Sequence, residues 1–345
     1  INTSMATLIS VKGPHTTDPD RAVQIQWSMG NTCNYSCDYC PPILHNGTKP
    51  WISTEQYISV VDKISEHYKQ ANRFMHWELL GGEVTTIPNF EEIIKRIAYH
   101  GSSVTIYTNG SRTVRWWEEA KEYLTGVVIT YHPLTMDEQH LYNVVATLKD
   151  ALIMDINIAG IGGQVEQLST VADNLRNMFT DGTRQGVYDV NITIKTMYNK
   201  YLGPEANHRQ QTTYYDYTPE EIKIMQRPGV LPNPAPHNHT EDPDDNQDHP
   251  KFWSTEFMYE DAPAKYVQSH QIINEGLNKF YGMKCELGFD SLNIDMNGEV
   301  ISSWCGAKNF GNITQLDNWE IPSESTRCPY EFCNNLNDIS ITKTQ

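Results

Sequence analysis

Cys33-Asn-Tyr-Ser-Cys37-Asp-Tyr-Cys40 places three thiols within eight residues, at C-x3-C-x2-C spacing. Three thiols cannot all pair with one another. They can converge on one iron–sulfur cluster, because thiolates are the usual ligands of such clusters. With three ligands, one iron stays open, and an open iron can bind a small molecule. The rival reading is zinc, with His45 as the fourth ligand of a closed tetrahedron. The chain has seven cysteines, an odd number. That count, and the absence of a recognisable secretory signal, argue for free thiols in a reducing cytoplasm.

The other four cysteines are Cys285, Cys305, Cys328 and Cys333. Ser291 to Ile294 and Val300 to Trp304 read as two strands of a hairpin turned at Met296-Asn297-Gly298, since Asn-Gly is a strong hairpin signal. A hairpin can bring Cys285 and Cys305 together, and Cys328-Pro-Tyr-Glu-Phe-Cys333 returns two more thiols. Four ligands suit a closed site, either a second cluster or zinc.

Short apolar runs alternate with amphipathic helical segments between residues 24 and 197. The predicted strands are Ala22 to Met29, Phe74 to Leu80, Ser103 to Tyr107, Val127 to Tyr131, Ile153 to Ile158 and Val187 to Thr196. The predicted helices are Thr54 to Lys69 with Ser53 as N-cap, Asn89 to Tyr99, Thr113 to Leu124, Met136 to Asp150, Gln164 to Phe179, and Pro219 to Arg227. Such alternation implies parallel strands joined by right-handed crossovers. A partial barrel and an open doubly wound sheet give the same pattern. In both, ligands sit at the C-terminal ends of the strands.

The candidate motifs lie at those ends. Gly81-Gly82-Glu83 ends the second strand, where two glycines let a ligand approach the backbone and a carboxylate can accept from an ammonium. An ordinary Gly-Gly turn is the plainer reading. Thr108-Asn109-Gly110 follows the third strand and is by itself a common turn. Thr130-Tyr131-His132-Pro133 ends the fourth, with His132 a substrate ligand, an acid/base or a structural histidine. Gly160 to Gly163 ends the fifth.

Composition bounds the function. A chain of 345 residues, 39% of them hydrophobic, can bury a large core. No run of about 18 apolar residues is present, so no transmembrane helix is expected. The formal net charge of −17 argues against broad nucleic-acid binding, which needs clustered Lys and Arg. Residues 228–250 are Pro-rich and acidic and read as a loop or linker; their His237, His239 and His249 read as solvated rather than metal-binding. Residues 1–4, ahead of Met5, read as a remnant.

The C-x3-C-x2-C spacing, with Tyr39 before its last cysteine, resembles the signature of the radical S-adenosylmethionine (radical SAM) superfamily. Gly81-Gly82-Glu83 resembles its Gly-Gly-Glu-Pro motif, with Val84 in place of the proline. The resemblance covers residues 24–197 and, as a twitch domain related to the SPASM extension, residues 276–340. It implies an α/β fold with a partial (β/α)6 TIM-like barrel and a small C-terminal auxiliary-cluster domain. The implied domains are an extension at 1–23, the barrel at 24–227, a linker at 228–275 and the auxiliary domain at 276–345.

The resemblance further implies a [4Fe-4S] cluster on Cys33, Cys37 and Cys40, with SAM chelated at the open iron. Tyr39, Gly81, Gly82, Glu83, Thr108, Asn109, Thr130 and His132 would line the SAM and substrate pocket. An auxiliary Fe–S cluster, of the [4Fe-4S] type, would be held by Cys285, Cys305, Cys328 and Cys333. The implied activity is reductive cleavage of SAM to a 5′-deoxyadenosyl radical, which takes a hydrogen atom from a peptide or small molecule to give an oxidised or cross-linked product. An electron donor such as flavodoxin or ferredoxin is then a partner. The alternatives are a nucleotide- or nucleic-acid-modifying relative, a non-catalytic Fe–S electron-transfer protein and a zinc-stabilised binding module.

Overall fold

The structure, a computed structural model, describes residues 7–12, 22–180, 190–198, 213–231, 255–267, 272–273, 275–321, 324–339 and 341–345. In chain order the strands begin with β1 (Leu8–Lys12), β2 (Val23–Ser28), β3 (Met75–Leu80), β4 (Ser103–Thr108) and β5 (Gly126–Tyr131). They continue with β6 (Ile153–Gly160), β7 (Val190–Thr196), β8 (Val230–Leu231), β9 (Thr255–Tyr259), β10 (Lys265–Val267) and β11 (Lys284–Cys285). The last are β12 (Ser291–Ile294), β13 (Glu299–Ile301), β14 (Asn309–Asn312), β15 (Thr326–Arg327) and β16 (Lys343–Thr344). The helices are α1 (Thr54–Gln70), α2 (Phe90–Tyr99), α3 (Val114–Ala120), α4 (Glu138–Leu148), α5 (Val165–Thr180), α6 (Pro219–Met225) and the short α7 (Leu336–Ile339).

The chain divides into two units. One comprises residues 29–58 and 78–236, the other residues 1–28, 59–77 and 237–345. In the first, β4, β5, β6 and β7 pair in parallel, and β8 adds an antiparallel edge to β7. Gly126 to Ile129 of β5 are all buried, the continuous apolar run of a strand covered on both faces. The crossover helices bury one stripe each. In α2 it is Phe90, Ile93, Ile94 and Ile97, spaced i, i+3, i+4, i+7. In α4 it is Leu141, Val144, Val145 and Leu148.

Local chemistry starts these helices where the sequence says they should start. Ser53 Oγ accepts the Gln56 N–H at 3.2 Å while Gln56 Oε1 accepts the Ser53 N–H at 3.0 Å. The pair is a reciprocal capping box at the head of α1. Thr113 caps α3 and Asp137 caps α4 through their side chains. Thr218 and Glu221 form a capping box on α6, with Pro219 in its first turn.

In the other unit, β10, β9, β1, β16, β11 and β15 form a six-stranded sheet in that order, every pair antiparallel. Residues 8–12, read from sequence as part of an extension, are thus a strand between β9 and β16. The predicted hairpin is present as β12 and β13, and β12 also runs parallel to β2. Its turn is closed by Asp295, whose carboxylate accepts the N–H groups of Asn297 and Glu299 at 2.8 and 2.9 Å. The second strand stops at Ile301 rather than Trp304, because Ser302 N–H turns to the Lys308 carbonyl at 2.9 Å and closes a loop. His237, His239, His249 and most of the acidic linker lie outside the described residues.

Candidate functional site

Cys33, Cys37 and Cys40 lie on a loop between β2 and α1, and none of the three is in a disulfide. Asn31 anchors the loop. It is fully buried, and its Nδ2 donates to the Ile43 carbonyl (2.7 Å), Asn46 Oδ1 (2.9 Å) and Thr48 Oγ1 (3.1 Å). Its Oδ1 accepts the Lys49 N–H at 2.7 Å. One amide therefore clamps the entry of the loop to its exit.

Gly81 and Gly82 back onto the start of this loop. A Cβ on Gly82 would collide with the Thr32 carbonyl oxygen, and one on Gly81 would stand 2.5 Å from that of Gly30. Both have positive φ, 108° for Gly81 and 45° for Gly82. The close approach these glycines permit is therefore that of the cysteine loop's own backbone. The Glu83 N–H donates to the Thr32 carbonyl at 2.8 Å and locks the contact.

The Glu83 side chain is fully buried and saturated. Oε1 accepts Thr85 N–H (3.1 Å), Thr85 Oγ1 (2.7 Å) and Thr108 Oγ1 (2.7 Å), and Oε2 accepts the Asn109 N–H (2.5 Å). Burial pushes its pKa up, and these donors push it back. Asn109 in turn reaches the cysteine loop. Its Nδ2 donates to Asn34 Oδ1 at 2.9 Å and lies 3.9 Å from Cys33 Sγ. The Tyr35 N–H donates to the same sulfur at 3.3 Å. Burial raises the Cys33 pKa, and the Tyr35 and Asn109 donors oppose it.

On the other flank, the Tyr39 hydroxyl and His132 Nδ1 share a hydrogen bond of 2.7 Å, and that nitrogen lies 3.5 Å from Cys37 Sγ. The Tyr39 and His132 rings stack at 5.8 Å, and Tyr35 meets His132 edge-on at 5.8 Å. Both arrangements suit the ring quadrupoles. Burial holds the His132 pKa down at about 4, so its ring is neutral at pH 7. Thr130 is half-buried on β5, in register with Asn157 of β6. The Gly160–Gly163 loop is filled from within the unit: Tyr217 donates to the Gly160 carbonyl at 2.6 Å, and Tyr215 occupies the space beside Gly162.

The C-terminal thiols form a second constellation. Cys285, Cys305, Cys328 and Cys333 together line one cavity of about 370 Å³, with Leu287, Trp304 and Asp338 among its walls. Burial pushes Cys285 and Cys333 up to about 12 and Cys305 up to about 11. Among the described residues, no three His, Cys, Asp or Glu side chains are placed to hold a single metal ion. The thiols are distributed around a space instead of meeting at a point.

The sequence model of the Radical SAM superfamily matches residues 27–151, which contain the cysteine loop, Glu83, Asn109 and His132. No curated protein sequence matches the chain. Among solved structures, BtrN in complex with AdoMet and 2-DOIA is similar at 11% identity over 85% of this chain and 79% of that one, with a TM-score of 0.39. Native anSMEcpe with bound AdoMet is similar at 13% identity over 86% of this chain and 80% of that one, with a TM-score of 0.45. Streptococcus suis SuiB bound to precursor peptide SuiA is similar at 9% identity over 88% of this chain and 65% of that one, with a TM-score of 0.36. No helix among the described residues is long and apolar enough to cross a membrane.

Several residues around Cys33, Cys37 and Cys40 escape a reading of the sequence. Asn31 and Asn34 carry no motif. Tyr214 meets Tyr39 edge-on at 6.4 Å, and burial leads the upward push on the Tyr215 hydroxyl, to which Asp38 and Cys37 add. The run Tyr214-Tyr215-Asp216-Tyr217 is the visible signal for that wall.

Proposed function

We propose that the chain is a radical SAM enzyme that cleaves S-adenosylmethionine reductively and abstracts a hydrogen atom from a peptide or small-molecule substrate. The observation that carries the reading is the cysteine loop of a radical SAM domain held against Gly81–Glu83 and Asn109 by complementary backbone. The thiols fit a [4Fe-4S] cluster. They share one braced loop, it offers three thiolates, and hydrogen-bond donors already aim at Cys33 Sγ. Cys33, Cys37 and Cys40 would be its ligands. When bound, the cluster and SAM supply a 5′-deoxyadenosyl radical able to attack an unactivated carbon.

This chain's residues position and shield. Glu83 fixes the ends of β3 and β4 to one another. Tyr39, His132, Tyr35 and Tyr214 form an aromatic wall beside the buried Cys37 thiol and keep water from it. Thr108, Asn109, Thr130 and His132 belong to the SAM and substrate pocket. The parallel strands fit a partial (β/α)6 barrel, and residues 276–345 fit a twitch-type domain with an auxiliary cluster on Cys285, Cys305, Cys328 and Cys333. Thiols spread around a cavity suit a cluster, which takes one thiolate per iron, more than a lone zinc, which needs all four at about 2.3 Å. The acidic balance favours a peptide or metabolite over nucleic acid, and free thiols favour the cytoplasm with a flavodoxin- or ferredoxin-type donor.

The test is anaerobic reconstitution with iron, sulfide, reductant and SAM. Release of 5′-deoxyadenosine is expected. The triple variant C33A/C37A/C40A should release none while keeping the iron of the four-cysteine site. SAM cleavage that persists in that variant sinks the assignment. Iron-loaded parent protein that neither binds nor cleaves SAM favours an electron-transfer protein instead.

A further inference from the structure

Two buried charged groups in the four-cysteine cavity are not thiols. Lys343 is 1% exposed, and its Nζ donates to the carbonyls of Asp338 (2.7 Å), Ile341 (2.8 Å) and Ile339 (3.1 Å). These bonds use all three ammonium hydrogens on neutral acceptors. The same nitrogen stands 4.8 Å from the centroid of the Phe280 ring. Cross-strand register sets Lys343 opposite Cys285, and both line the cavity.

A buried ammonium is costly unless an opposite charge compensates it. The carbonyls solvate Lys343 without neutralising it. Its charge acts on the buried Asp338 carboxyl and on the thiol side, where Lys343 is the leading influence opposing burial at both Cys285 and Cys333. Asp338, 2% exposed, stands at the same cavity with the reverse sign. Its Oδ1 accepts the Ser303 hydroxyl, while Oδ2 makes no hydrogen bond of normal geometry. Burial pushes that carboxyl up, and the Ser303 hydroxyl, the Cys305 N–H, the Lys343 charge and the Cys305 thiol oppose it.

We propose that Lys343 is the fixed counter-cation of the four-cysteine site and that Lys343 and Asp338, acting in opposite senses, set the reduction potential of the iron–sulfur cluster held there. The proposal rests on the auxiliary-cluster reading above. Four thiolates on a four-iron core leave the site anionic even when oxidised, and uptake of one electron adds a further negative charge. A neighbouring cation stabilises the more negative form more. Lys343 therefore raises the potential and Asp338 lowers it. The step is one electron taken from an added reductant, with no protein bond made or broken.

The experiment uses the full chain in the C33A/C37A/C40A background, so that all remaining iron reports on one site. Dithionite titration followed by electron paramagnetic resonance reads the potential. K343M removes the charge and keeps an unbranched stem against Phe280. It should lower the equilibrium constant for reduction tenfold or more, about 59 mV for a one-electron couple. K343R should stay near the parent, and D338N should shift the other way. An iron-loaded K343M with the parent's potential overturns the proposal. If K343M holds no iron, D338N decides, since an unchanged or lowered potential there overturns it equally. A parent that binds no iron overturns the cluster reading and this proposal with it, which is distinct from bound iron whose potential does not move.

Discussion

The Glu83 carboxylate and the Asn109 backbone N–H are joined at 2.5 Å, so the residue just beyond β3 holds the residue that follows β4. Asn109 then extends its amide to Asn34 on the cysteine loop. This makes Glu83 a brace for the site as well as a candidate partner for a ligand's ammonium. Every hydrogen-bonding group that faces it is a donor, and only a carboxylate accepts from all of them.

Glu83→Gln should therefore destabilise the apo protein, because the amide NH₂ must face a buried donor. The expected loss is about 1–3 kcal/mol in urea unfolding without iron or SAM. SAM affinity of the loaded protein should fall as well. Unchanged apo stability together with weaker SAM binding would make Glu83 a ligand contact and not a brace.

Gly82→Ala tests the docking of the loop. The new Cβ meets the Thr32 carbonyl, a backbone atom that can give way only if the cysteine loop moves. The left-handed φ adds strain on the order of 1–3 kcal/mol. Iron and sulfide content should drop toward that of C33A/C37A/C40A, with the C-terminal site still loaded. Full iron content in Gly82→Ala would show that the loop is held elsewhere.

Much of this arrangement is legible in the sequence, and what is hidden has a common cause. The predicted strands from Ala22 to Thr196 all appear, with ends shifted by a few residues and with residues 187–189 outside the described ones, because apolar runs mark them, continuous in β5 and alternating with half-buried positions in β3 and β7. β6 runs on to Gly160 because its residues from Met154 through Gly160 pair with β7, which no local pattern announces. β1 is hidden for the same reason: its partners are β9 and β16, far along the chain. The motif residues are visible by type, but the direction of a side chain is not. Gly81-Gly82-Glu83 reads as a ligand cradle, and only the fold shows the glycines against Gly30 and Thr32 and the carboxylate turned onto Thr108 and Asn109. Lys343 does leave a trace. It stands two residues after Ile341, where alternation calls for an apolar side chain.

Asn31→Ala should loosen the loop without touching any thiol. It leaves the Lys49 N–H and the Ile43 carbonyl without the partner that spans the loop, and a buried unsatisfied group costs about 1–3 kcal/mol. Faster proteolysis or hydrogen exchange within residues 32–49 of the apo chain is the expected readout. Equal protection in Asn31→Ala and parent would assign the clamp to Glu83 and Gly82 alone.

The pH dependence of stability should carry the mark of His76. This histidine lies on β3, and burial lowers its pKa from the ordinary value near 6.5. The sign follows from proton binding. Below about pH 6.5 the unfolded chain protonates this ring while the folded chain resists, so the unfolded state binds more protons and stability rises with pH. Stability attributable to His76 is therefore complete at pH 7.5 and is lost as pH falls from about 6.5 toward the lower folded pKa. Urea midpoints of the apo protein at pH 7.5 and pH 5.5 should differ in that direction. His76→Gln, which cannot titrate, should narrow the gap. A gap of the same size in His76→Gln would assign the acid sensitivity to other groups, the half-buried His132 first among them.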